Sequence, residues 1–310
     1  MKKLRKLAKT VLMRGVRALP RVARVAIFEE LVAEKSAFRV AGDLARTIGI
    51  TGFVAEGDAG VIRGALDDDT GLRRYARDGL WSPHQISLFT NAFVDHGGTY
   101  LDIGANIGLT VIPVAQNSQV ICHAFEPEPS NFRYLSENVA VNCRAGNVRL
   151  HNIALCDQNG SLPFEIAVRH SGDHRISMTD AKGELGEHNR QKMIVAAKRL
   201  DDVVMDLPEP IAVKIDVQGA EPFVIFGGRN TLSRAVLLGL EFWPYSMRRM
   251  GGDIDAVIAF LVDHFREGSI SAGDADKPAA WEPITSVAAS LRQFATNAKR
   301  EYLDVLVRKV

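Results

Sequence analysis

The stretch YLDIGANIGLT, Tyr100 to Thr110, constrains the fold more tightly than any other part of the chain. Tyr100, Leu101 and Ile103 have the apolar character of a buried strand, and Gly104 and Gly108 punctuate a turn leading into a helix. Backbone without Cβ atoms lets a ligand approach closely, so the turn is expected to hold one. Asp102 places a carboxylate near the strand end, and the glycines follow G-x-x-x-G with Asn106 between them. The sequence contains no G-x-G-x-x-G, so the usual cradle for a pyrophosphate at a helix N-terminus is missing. An acid ahead of the turn suits a ligand that carries positive charge.

Beyond Tyr100 short apolar runs alternate with helical patterns. Gln119 to Phe125 ends at Glu126, Ile211 to Ile215 ends at Asp216, and Val236 to Leu240 ends at Glu241. Asp102 and Glu126 are 24 residues apart, Asp216 and Glu241 are 25 apart, and each interval fits one strand plus one helix. Such alternation predicts a parallel sheet with helices on both faces. Val148 to Ala154 reads as a third strand, and Tyr302 to Val307 alternates like a terminal one. Pro129 opens a helix with Phe132, Leu135 and Val139 on one face. Between Ala167 and Lys192 periodicity disappears, which predicts a polar lid inserted between core strands.

The earlier part of the chain is less regular. Leu72 to Val94 is helical in pattern, with Ser82 and Pro83 as an N-cap and first helical residue. Trp81, Ile86, Leu88, Phe89 and Phe93 are its core candidates. Asp67, Asp68 and Asp69 read as a solvated turn. Residues 1–60 are assigned to an N-terminal extension and lead-in, and 61–310 to the main domain. Leu4, Leu7, Ala8, Val11 and Leu12 form one helical stripe among basic residues. That amphipathic helix is expected to pack on the body or a partner subunit, as in a homo-oligomer, or to lie on an anionic membrane surface. An acid-free start also resembles a mitochondrial presequence, although serine is scarce there.

Charge separates these two parts. Nine of the 38 basic residues precede the first acid, Glu29, so the other 29 face 37 acids and the body carries about −8. This argues against a general nucleic-acid partner. No apolar run is long enough to span a bilayer. Cys122, Cys143 and Cys156 form no C-x-x-C motif and suit a reducing compartment, so a cytoplasmic location is expected, at most peripheral to a membrane.

Three motifs in order, DIGANIG, FEPEPSN from Phe125 to Asn131 and VKIDVQGAE from Val213 to Glu221, resemble the FkbM family of S-adenosylmethionine-dependent methyltransferases. The resemblance runs from about Tyr75 to the C-terminus. It implies an α/β, Rossmann-like class I methyltransferase fold: a mostly parallel seven-stranded sheet, helices on both faces and an antiparallel terminal strand. It also implies S-adenosylmethionine as cofactor and O-methylation of a small molecule, natural product or saccharide. Asp102, Gly104, Ala105, Asn106, Gly108, Glu126, Pro127, Asp157 and Asp216 are the cofactor-binding residues expected from it. Glu126, placed at a strand end some way beyond the glycine turn, is expected to accept both ribose hydroxyls. Asp157 has an equal claim to an Asp-x-Asn-Gly turn with Asn159 and Gly160.

Methyl transfer from a sulfonium needs an aligned, desolvated acceptor, and a hydroxyl acceptor needs a base. Asp216, Glu221 and His174 are the leading catalytic candidates, with Glu241 beside them. His174 and Arg175 lie in the expected lid. His170 and His174 are four apart, but Ser171 and Gly172 interrupt any helix there, so no metal site is assigned. Trp243, Pro244 and Tyr245 follow Glu241, where aromatic rings either stack on an acceptor or simply pack. A binding protein without turnover, or a methyltransferase acting on an amine or carboxylate, are the competing readings.

Overall fold

A computed structural model describes residues 33–143, 145–167, 171–179, 182–273 and 280–309. The basic N-terminal helix and His170 lie outside the described residues. The strands are β1 (Gly52–Gly57), β2 (Gly60–Ala65), β3 (Gly98–Ile103), β4 (Val120–Phe125), β5 (Val148–His151), β6 (Ala154–Leu155) and β7 (Gly160–Ile166). They continue as β8 (Arg175–Ile176), β9 (Gln191–Lys198), β10 (Ile211–Ile215), β11 (Leu237–Phe242), β12 (Glu267–Ala272), β13 (Glu282–Pro283) and β14 (Leu303–Arg308).

The main sheet runs β13-β12-β14-β11-β10-β3-β4-β5. Strands β11, β10, β3, β4 and β5 are mutually parallel, and β14 runs antiparallel to both of its neighbours. The α/β, Rossmann-like arrangement is therefore present, but with eight strands where seven were expected: β13 adds a two-residue edge pairing to β12. Too short to leave a periodic signal, it is made only by contact.

Every residue of β3 and β10 is buried, as apolar strands covered on both faces should be. Their alternation splits the core in two. Leu101, Ile103, Val213, Ile215, Val305 and Val307 face the helices Glu221–Gly227, Ile254–His264 and Ile284–Asn297. Tyr100, Ala212 and Leu306 face the opposite way, toward Phe89, Phe93, Val111, Ile112 and Leu135. The hairpin β1-β2 packs on that second side through Ala55, Ala59 and Ile62. No helix among the described residues is long and apolar enough to cross a membrane.

Several local expectations are corrected. The strand expected over Val148 to Ala154 stops at His151, and Ala154–Leu155 instead pairs with β9 in a second, four-stranded sheet, β6-β9-β7-β8. Ser82 precedes the helix Pro83–Asn91 but takes a left-handed conformation and makes no capping hydrogen bond. Asp68 and Asp69 are buried, not solvated. Asp69 ion-pairs with Lys35 and Arg39, and these partners supply what water would have supplied.

The largest correction concerns Ala167 to Lys192. This stretch connects β7 to β9, which pair along their whole length, and it carries β8 against β7. Its polarity does not keep it in water. Arg175 is fully buried, with Nη1 donating to Ser246 Oγ at 2.7 Å and Nη2 to Asp173 Oδ1 at 2.5 Å. Glu165 pairs with Arg249 at 3.1 Å, and Asp173 also accepts from Arg190. Paired charges are the condition under which such groups bury, and these partners come from separate parts of the chain.

Candidate active site

A cavity of about 450 Å³ lies across the C-terminal ends of β3, β4, β10 and β11. Its floor begins with the turn after β3. Gly104 has φ +82°, and a Cβ there would lie 1.9 Å from the Asp216 carbonyl oxygen. Only glycine lets the turns after β3 and β10 meet this closely. Gly104, Ala105 and Asn106 line the cavity, whereas Gly108 turns toward Ile112 and Leu135.

Against this floor sits a charge cluster centred on the buried Lys214. Lys214 Nζ lies 3.4 Å from Asp102 Oδ1 and 3.5 Å from Asp216 Oδ2, and it donates to the Gly104 carbonyl at 3.2 Å. Asp102 also accepts from the Thr110 hydroxyl. Burial pulls the Lys214 pKa down, but the two aspartates outweigh it and hold the ammonium above its ordinary value. Asp102 is wholly buried and does not line the cavity, so its expected contact with a ligand is replaced by a structural one to Lys214 and Thr110.

Glu126 lines the cavity at the end of β4. Its Oε2 accepts the Asn106 N–H at 2.9 Å and its Oε1 accepts the Glu128 N–H at 2.8 Å. Those bonds fix the carboxyl between two turns while each oxygen keeps a lone pair for a ligand. Burial pushes its pKa up to about 8 against the opposing pull of the two amides. Pro127 lines the cavity beside it, followed by Ile153, Ala154 and Leu155. Asn106 and Asn131 donate to the Ser171 carbonyl at 3.3 and 2.9 Å, so the second sheet is tied to the glycine turn. Among the described residues the buried Asn106 Oδ1 finds no hydrogen-bond partner.

The other end of the cavity is lined by Asp216, Gln218, Glu241, Trp243, Ser271, Tyr302 and Asp304. Gln218 has φ +60°, a left-handed conformation rare outside glycine. Its Nε2 donates to Asp216 Oδ1 at 2.8 Å and to Glu241 Oε2 at 3.0 Å, and its carbonyl accepts from Ser246 Oγ at 2.7 Å. Burial, with repulsion from Asp216, Glu221 and Asp304, holds the Glu241 carboxyl well above the usual range.

Two further expected site residues are elsewhere. Glu221 is fully buried under the loop after β10, where Oε1 accepts the Val217 N–H at 3.0 Å, and it does not reach the cavity. It staples the loop from the first turn of the helix Glu221–Gly227, where the positive end of the helix dipole favours a carboxyl. Asp157 lines a separate small cavity with Pro222, Phe226 and Arg229, because the chain turns into the second sheet before reaching it. His174 does line the main cavity, with Nδ1 accepting the Ala167 N–H at 3.1 Å. That bond puts the neutral ring's proton on Nε2, so His174 offers a donor where a base was expected.

Lys214 and Gln218 were not singled out from the sequence. The signal for Lys214 was present: a lone lysine inside the apolar run IAVKI must find carboxylates or carbonyls if the strand is central. Gln218 left none, since its role depends on Glu241 of a neighbouring strand.

The raised carboxyls make stability depend on pH. Glu221 is pushed up to about 7 by burial, and Glu126 to about 8, while unfolded glutamates ionise near about 4.3. Between those values the folded chain binds more protons, so stability is greatest at the acid end and is lost as pH rises. Each group contributes about 1.4 kcal/mol per pH unit inside its window. The thermal midpoint of the ligand-free protein is expected to fall from pH 5 to pH 8, with a shallower slope in Glu221→Gln. An unchanged slope in that variant would mean that Glu221 is ionised throughout.

Comparison with known proteins adds the family context. Residues 102–267 match the Methyltransferase FkbM domain. The chain is 30% identical over 156 residues to the 2-O-methyltransferase NoeI of Sinorhizobium fredii, covering 46% of this chain and 62% of that protein. It is 29% identical over 133 residues to the hexuronic acid methyltransferase AglP of Haloferax volcanii, covering 42% of this chain and 50% of that one. The chain thus spans about half to three fifths of the length of these curated relatives. Among solved structures, TrmK of M. capricolum in complex with S-adenosyl-homocysteine superposes with a TM-score of 0.37 at 10% identity, over 73% of this chain and 67% of that one.

Proposed function

The chain belongs to the FkbM methyltransferase family, and from that premise we propose that it transfers a methyl group from S-adenosylmethionine to a hydroxyl oxygen of a saccharide or similar small polyol. The observation that carries this reading is Glu126, a buried carboxyl held at a strand end by two backbone N–H groups and lining the cavity. The cavity's donor set fits the cofactor. Glu126 is suited to the ribose hydroxyls, Phe125, Ile153 and Leu155 to an adenine, and the unpartnered Asn106 Oδ1 to a cationic or hydroxyl donor. When bound, the cofactor supplies an electrophilic methyl on a sulfonium.

The chain's own residues then have to place the acceptor and exclude water. Trp243 and Tyr302, with ring centroids 6.4 Å apart, offer aromatic surface at the far end of the cavity, and such faces suit a sugar ring. The relatives named for 2-O-methylation and for hexuronic acid methylation support a saccharide acceptor. The basic N-terminal stretch is our candidate for contact with an anionic membrane surface, tested by salt-sensitive sedimentation with anionic vesicles.

The direct test is calorimetric titration with S-adenosylmethionine, followed by mass spectrometry for S-adenosylhomocysteine and methylated product on a panel of neutral and hexuronic methyl glycosides. Binding with turnover of at least one glycoside is expected. Binding without any turnover would favour a cofactor-holding protein, and no binding would end the reading.

A further inference from the structure

Resting on the methyltransferase reading, we propose that Glu241 takes the proton from the acceptor hydroxyl and that Gln218 is the residue that positions it. The first argument is placement. Glu241 pairs with Asp304 across β11 and β14, and Asp304 pairs with Ser271 across β14 and β12. All three line the cavity on the side away from Glu126. Asp216 follows Ile215, whose partner is Leu240, so Asp216 and Glu241 stand side by side at the middle of the cavity.

The second argument is the partner of each acid. Lys214 stands 3.5 Å from Asp216, so that carboxylate already has a cation for a partner. Among the described residues no cation ion-pairs with Glu241, and its side chain receives a single neutral amide hydrogen from Gln218. A partly buried carboxylate crowded by other acids and short of cations is pushed toward its protonated form, as a proton acceptor should be. His174 presents a donor, and Glu221 lies beneath the loop, so neither competes for the proton.

The third argument is the effort spent on Gln218. A non-glycine residue is kept in a left-handed conformation, its carbonyl is anchored by Ser246, and its amide gives one hydrogen to each carboxylate. Backbone strain of this kind persists where surrounding contacts over-determine it. Here the result is a fixed direction for the Glu241 carboxylate.

The step balances without a further reactant. A lone pair of the acceptor oxygen forms the new O–C bond, the electron pair of the S–C bond returns to sulfur to leave a neutral thioether, and the hydroxyl proton passes to a Glu241 oxygen and then to water.

Two variants and two readouts test this. In ligand-free protein carrying ¹³C-labelled glutamate, the carboxyl signal missing from Glu241→Gln should titrate well above ordinary glutamate, and still higher in Gln218→Leu. Titration in the ordinary range would overturn the proposal. With the glycoside turned over fastest in the panel, Glu241→Gln should lower kcat by about 10²- to 10⁴-fold and remove the rising limb of the pH profile, with S-adenosylhomocysteine affinity within about twofold of wild type. Gln218→Leu should retain that limb but move it to higher pH, a shift that a purely structural role would not produce. Wild-type turnover that survives Glu241→Gln with its pH limb intact would overturn this assignment alone. No wild-type turnover on any glycoside would instead remove the methyltransferase reading on which it rests.

Discussion

Lys214→Met is expected to destabilise the protein by about 3 to 5 kcal/mol, the usual cost of removing one partner from a buried ion pair. Asp102 has no solvent exposure, and without the ammonium its charge would keep, among the described residues, the Thr110 hydroxyl as its one direct side-chain partner. Asp216, by contrast, has a side chain 37% exposed and can turn to water. Lys214 also holds the Gly104 carbonyl, so the variant should loosen the turn that forms the cavity floor. The measurement is the denaturant midpoint at constant m-value. Adding Asp102→Asn to Lys214→Met should recover most of the loss, because the uncompensated charge is then gone. A single variant within about 1 kcal/mol of wild type would contradict a buried pair.

Glu126→Ala is expected to leave the fold intact and weaken S-adenosylmethionine binding by about 1.5 to 3 kcal/mol, roughly 10- to 150-fold, the range for hydrogen bonds to a charged group. Because burial holds the ligand-free carboxyl at about 8, most of it is protonated at pH 7. Ribose hydroxyls donate to the ionised form, so binding at pH 7 should release up to about one proton. Calorimetry in buffers of different ionisation enthalpy reads that proton, and it should vanish in Glu126→Ala. Equal affinity in variant and wild type would remove Glu126 from the cofactor site.

Much of the scaffold was legible because it is written locally. The apolar runs before Asp102, Glu126 and Asp216 announce buried strands, the glycines announce the turn, and the strand-helix interval announces parallel pairing. Those features depend on neighbours a few residues away, and β3, β4 and β10 fall within a residue or two of where the pattern puts them. What local pattern does not specify is where a side chain points once the strand has ended. Asp157 and Glu126 both follow apolar runs, yet the chain leaves the main sheet at Asn152, so only Glu126 reaches the cavity. Glu221 sits only five residues after Asp216, yet the intervening loop folds its carboxyl inward to accept a backbone N–H.

The amino-acid sequence by itself thus determined the α/β class, the edge of the sheet along which the cavity lies and the place of Glu126 at that edge, since each follows from periodicity and backbone freedom over short distances. Tertiary structure alone decided which polar residues are buried and which charged partners each acid meets. Arg175 disappears into the interior because Asp173 and Ser246 meet it there, and among the described residues Lys214 stands beside Asp216 while no cation pairs with Glu241. The state of a charge is set by desolvation and by partners brought from distant parts of the chain, and neither quantity exists until the sheet has assembled.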